Sequence, residues 1–142
     1  MTDDEARALG LRAVACPGWR WLPGMCPVGG YRVLAVFGST LFSLGAGGDA
    51  GHAGFIDRAA VGPPDFRDPA TLGCLLALVR ETWDRPGLYV ASVASADDDG
   101  GEHWRLRDRG CSLLRHDPPM GATTEAEALV AALEVAPARV SP

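Results

Sequence analysis

Between Asp68 and Gly87 the sequence carries a helix with both of its ends marked, and this segment constrains the fold more than any other. Asp68 is a good N-cap, because its carboxylate accepts from the first unpaired amides. Pro69 takes the first helical position, where its missing N–H costs nothing. Leu72, Leu75, Leu76, Val79 and Trp83 follow the 3.6-residue period, with Arg80 and Glu81 off the stripe. Asp84-Arg85-Pro86-Gly87 then stops the helix. Burying five such side chains contributes on the order of 10 kcal/mol before conformational entropy is subtracted. A helix of this kind belongs to a core.

A second helix is marked in the same way. Thr124 and Glu127 form a capping box, Ala126, Leu129, Val130 and Leu133 share a face, and Pro137 ends the segment. Between the two helices the spacing predicts strands at residues 88–93, 103–107 and 112–116. A solvated loop, Asp97-Asp98-Asp99-Gly100-Gly101, joins the first pair, and an Asp108-Arg109-Gly110 turn joins the second. In the middle strand Trp104 and Leu106 point one way, while His103, Arg105 and Arg107 point the other. Each amphipathic helix needs a sheet face. The expected class is therefore α+β, with a single antiparallel sheet sandwiched by helices in an α/β/α-like arrangement.

Upstream, residues 2–14 read as a short helix capped by Thr2, with Asp3, Asp4 and Glu5 at its positive end and Ala6, Leu9 and Ala13 on one face. Cys16-Pro17-Gly18 ends it. Residues 19–22 and 31–37 read as two strands, and 41–44 as a third after the Gly38-Ser39-Thr40 turn. The glycine- and alanine-rich run 45–54 reads as a loop, and 55–67 continues irregularly. The 142 residues suit one domain. It comprises a helix and hairpin at 2–44, a glycine-rich loop at 45–67 and a helix–sheet–helix unit at 68–136.

The charged residues are unusual: there is no Lys, and all thirteen basic side chains are Arg. Every cation is thus a planar fork suited to carboxylate, phosphate or aromatic partners. The net charge of −5 argues against broad binding to duplex nucleic acid. No apolar run approaches the roughly 20 residues that span a bilayer. The acidic N-terminus is no signal peptide either, so a cytoplasmic protein with no membrane partner is expected. Cys16, Cys26, Cys74 and Cys111 form no C-x-x-C pair and read as small apolar residues, with a Cys16–Cys26 bridge as the alternative.

Three segments occur in a suggestive order: Gly18-Trp19-Arg20-Trp21-Leu22-Pro23-Gly24-Met25, then the helix from Asp68 to Glu81, then the helix from Thr124 to Glu134. Together they resemble a group of small phage and prophage proteins, similar in layout to the phage "ABA sandwich" domain of helix, antiparallel strands and Glu-capped helix. The glycine-rich stretch 38–54 departs from that pattern. The resemblance implies a fold, a phage origin and a location in the host cytoplasm. It carries over no catalytic residue, since the matching positions are mainly core and caps.

Motifs for chemistry are weak. Gly45-Ala46-Gly47-Gly48-Asp49-Ala50 fits a dinucleotide fingerprint in form, but no helix start follows it. Asp49, His52 and Asp57 match no metal-ligand spacing, and Asp97 to Asp99 lack the EF-hand pattern. Cys111 with His116 is the one imaginable nucleophile pair. The most suggestive set is aromatic plus arginine: Trp19, Arg20, Trp21, Arg32, His103, Arg105 and Arg107. Rings stack on a base and Arg binds pyrophosphate bidentately. The plainer alternative makes the rings core and the arginines a solvated sheet edge.

The expectation is thus a non-enzymatic phage accessory protein, with no cofactor, that sequesters a nucleotide-derived immune signal. The alternative is a protein–protein interaction module, either an inhibitor of a host defence protein or a virion or assembly accessory. A homo-oligomer is compatible with a half-covered sheet.

Overall fold

The computed structural model describes residues 1–29, 32–44, 53–94, 102–109 and 122–137. Their elements run α1 (Asp3–Val14), β1 (Arg32–Phe37), β2 (Thr40–Leu44), β3 (Ala53–Asp57), α2 (Pro69–Thr82), β4 (Leu88–Ala94), β5 (Glu102–Asp108) and α3 (Glu125–Glu134). The class is α+β. Where one sandwiched sheet was expected, the described strands form two antiparallel sheets, β1-β2-β3 and β4-β5. The expected strand 112–116, the 97–101 loop, Tyr31, Gly110 and residues 45–52 of the glycine-rich run lie outside the described residues. The chain divides into two compact units. One is Met1–Ala15 with Trp19–Cys74, and the other is Cys16–Gly18 with Leu75–Pro142.

In the first unit α1 starts on a full capping box: the Thr2 hydroxyl accepts from the Glu5 amide, and the Glu5 carboxylate accepts from the Thr2 amide. Its buried face is Ala6, Leu9, Gly10 and Ala13. Gly10 is there for space. A methyl group on it would lie 2.6 Å from the Pro64 carbonyl oxygen and 2.8 Å from the Pro63 Cβ. Residues 26–28 and 63–65 run antiparallel, the Val28 amide donating to the Pro63 carbonyl and the Asp65 amide to the Cys26 carbonyl, both at 2.8 Å.

Two strand readings are corrected in this unit. Residues 19–22 form no strand: on the side of Val33 away from β2 the bonded segment is Gly24–Met25, through bonds of 2.7 and 2.8 Å. Pro23 lacks a donor and Gly24, at φ +99°, turns the chain there. Conversely, residues expected to be irregular form β3, which pairs with β2 so that Phe42 faces Phe55 and Leu41 faces Ile56. Pairing to a neighbour, rather than local propensity, makes this short segment a strand.

In the second unit α2 ends in a Schellman motif. The Arg85 amide reaches back to the Arg80 carbonyl and the Asp84 amide to that of Glu81, with Asp84 itself at φ 51°. Leu75, Leu78, Val79, Leu88 and Leu106 are core. α3 opens on the expected Thr124–Glu127 capping box and packs on β4 and β5. Apart from Glu127, every residue from Ala126 to Leu133 is buried, so the helix is covered all round rather than along one stripe. The Trp83 indole N–H donates to the Ala132 carbonyl at 3.0 Å, which ties α2 to α3.

Candidate functional site

β5 alternates as the sequence predicts. Leu106 is 5% exposed, while Arg105 and Arg107 on the opposite face are open to solvent. Register adds what sequence lacks: Tyr89 stands opposite Arg107, Ala91 opposite Arg105 and Val93 opposite His103. Paired residues share a face, so Tyr89 joins the arginine side of the ribbon. At the end of β5 the chain brings a third guanidinium back over the same ring, with the Arg109 Cζ 6.0 Å from the Tyr89 centroid. That distance is at the outer limit of a cation–π contact. The face therefore presents one ring and the guanidiniums of Arg105, Arg107 and Arg109. Strand geometry sets Arg105 and Arg107 about 7 Å apart at Cα, close enough for both forks to reach one pyrophosphate.

Asp108, on the opposite side of the ribbon, is taken by Arg85 at 3.4 Å. His103 is half-buried, and its Nδ1 is shielded from solvent with no hydrogen-bond partner among the described residues.

The other four expected residues lie in the first unit. The Trp19 ring packs edge-on to Trp21 (5.8 Å, 78°) and to Phe66 (6.1 Å, 82°). Trp21 and Phe66 are only 4% and 3% exposed, so this cluster is core. Arg20 is exposed beside it. Arg32 is engaged within the chain: it donates to Asp68 at 2.9 Å and to the Gly24 carbonyl at 2.7 Å.

Asp68 is the hub of that contact. Its carboxylate also accepts from the Thr71 amide (2.9 Å) and hydroxyl (2.8 Å), and the Thr71 oxygen accepts from the Cys26 amide at 2.7 Å. Burial pushes the Asp68 carboxyl up, but Arg32 and then Thr71 outweigh it and hold the group below the usual carboxylate range. The N-cap expected at Asp68 is thus also the anchor of β1.

The remaining candidates are quickly placed. Asp57 caps the 3-10 turn at Arg58–Ala60 by accepting from the Ala59 amide at 2.9 Å, while Asp49 and His52 lie outside the described residues. Burial pushes the Cys26 and Cys74 thiols up, away from the nucleophilic thiolate form. Cys16, Cys26 and Cys74 form no disulfide, and Cys111 and His116 lie outside the described residues. Among the described residues no cluster of three His, Cys, Asp or Glu side chains could hold a metal.

Sequence reasoning missed a second surface. On the outer face of β1-β2-β3, Phe37 and Phe55 are 60% and 70% exposed. Phe55 lies 6.3 Å from Phe37 and 5.1 Å from Phe42, ring to ring. Without β3, nothing in the sequence sets Phe55 beside the other two.

Comparison with known proteins found no matching family model, no matching curated protein and no matching solved structure.

Proposed function

We propose that this protein acts by binding, and that it holds a small nucleotide-derived anion on the arginine face of the β4-β5 ribbon. The observation that carries the reading is the cross-strand pair Tyr89–Arg107, with Arg109 over the same ring and Arg105 next along the strand. A base stacks on the half-buried Tyr89 ring, and the phosphates take the forks of Arg105 and Arg107. The ligand-binding set is thus Tyr89, Arg105, Arg107 and Arg109. Arg32 and Trp21 serve the fold instead. The phage-like resemblance directs the reading to sequestration of a host immune signal.

A thermal-shift panel of cyclic nucleotides and ADP-ribose derivatives tests this. A ligand at about 100 times its Kd stabilises by roughly 2.7 kcal/mol, a shift of several degrees. The Arg105→Glu/Arg107→Glu variant should lose that shift. A panel without a single shift, or a shift that survives the charge reversal, refutes the reading.

A second reading has its own observation. The exposed Phe37–Phe42–Phe55 surface supports a protein partner, such as a host defence protein, docked on the first unit. Pull-down with wild type and a Phe37→Ser/Phe55→Ser variant tests it: a stoichiometric partner should be lost with the variant. A partner retained by it counts against this surface.

A further inference from the structure

Behind the phenylalanine face the first unit has a partly open cavity of about 450 Å³. Its floor is the inner side of β1-β2-β3, where Val33, Leu41, Ser43 and Ile56 line it. Pro27 and Val28 form one wall, and the 3-10 turn with its exit, residues 60–62, forms the other. Ala60 is solvent-exposed and lines the cavity, which places the mouth beside it.

The chemistry of this lining is one-sided. Among the described residues around it the only polar side chain is Ser43, which is 4% exposed, and none carries a charge. Apolar side chains dominate the lining, so displacing water from it by an apolar molecule is favourable. A charged ligand would lose its hydration with no counter-ion to replace it. At about 30 Å³ per water-sized group, the volume suits a molecule of roughly 15 non-hydrogen atoms.

We propose that this cavity is a binding site for a small, neutral, hydrocarbon-rich molecule with at most one hydrogen-bonding group. The site is separate in chemistry from the arginine face, because it rejects the phosphates that the arginines attract.

Fluorescence titration of the full chain with N-phenyl-1-naphthylamine, a neutral probe of suitable size, is the test. A blue-shifted, saturable rise at one probe per chain is expected. Ala60→Trp narrows the mouth from an exposed position and should weaken binding about tenfold or more. Phe37→Ser/Phe55→Ser alters only the outer face and should leave binding unchanged. Competition needs no variant: 1-decanol should displace the probe about tenfold better than decanoate, which brings an unpaired charge. A non-saturating signal overturns the proposal. So does equal competition by decanoate, or loss of binding in the phenylalanine variant but not in Ala60→Trp.

Discussion

Replacing Asp68 by alanine should be among the costliest single changes in the first unit, and its cost can be worked from the contacts. The substitution removes the N-cap of α2, worth about 1 kcal/mol within a range of ~0.5–2. It also strips the acceptor from the Thr71 hydroxyl, a group with no solvent exposure. An unsatisfied buried donor costs about 1–3 kcal/mol. Arg32 is half-exposed, keeps its bond to the Gly24 carbonyl and can turn to water, so its loss adds little. The total is about 2–4 kcal/mol. In urea, with a slope of ~2 kcal/mol per molar, the unfolding midpoint should fall by roughly 1–2 M. Tryptophan fluorescence reads the transition, through Trp19 and Trp21 in the first unit and Trp83 and Trp104 in the second. Asp68→Asn retains an acceptor for the Thr71 amide and should recover about half of the loss. A midpoint for Asp68→Ala within ~0.2 M of wild type would refute the reasoning, because then neither cap nor hydroxyl contributes as argued.

Three further outcomes follow from the same geometry. Gly10→Ala should destabilise by about 2 kcal/mol or more, since the new methyl meets the Pro64 carbonyl; an ordinary mid-helix Gly→Ala stabilises by ~0.5–1 kcal/mol, so a thermal melt reads the sign directly. Asp68 and Asp65 both have carboxyls held below their ordinary value, the latter chiefly by Arg67. Their contribution is therefore fully present above about pH 4 and is lost as pH falls through the folded-state value. Stability measured from pH 7 down to 3 should drop in that window, and less steeply in Asp68→Asn. Phe37→Ser/Phe55→Ser should leave the melting temperature within a few degrees of wild type, because both rings are largely exposed; a collapse would make them structural.

The helices were legible because their signals are local. Thr2, Asp68-Pro69 and Thr124-x-x-Glu127 mark starts within a few residues, and each cap is seen where expected. Within α2 the sequence is less complete. Leu78 and Thr71 are fully buried while Trp83 is only half-buried, because a stripe fixes the direction of a face but not the width its neighbours cover.

Sheets were harder, since pairing is set by tertiary contacts. Ala53-Gly54-Phe55-Ile56-Asp57 looks unremarkable until β2 lies beside it. The candidate site shows the same limit. Alternation placed His103, Arg105 and Arg107 on one face, but only register brings Tyr89 to them. A guanidinium that binds a ligand also looks, in sequence, like one that binds its own chain. Arg32 proved to be the second kind because Asp68 stands within reach.

Isothermal titration of the nucleotide giving the largest thermal shift tests the central claim most directly, with wild type and Arg105→Glu/Arg107→Glu measured at two salt concentrations. Binding at one site per chain is predicted, weaker in high salt and lost on charge reversal. Unchanged affinity in the variant, or no heat with any nucleotide, would contradict the claim that the arginine face is the binding site.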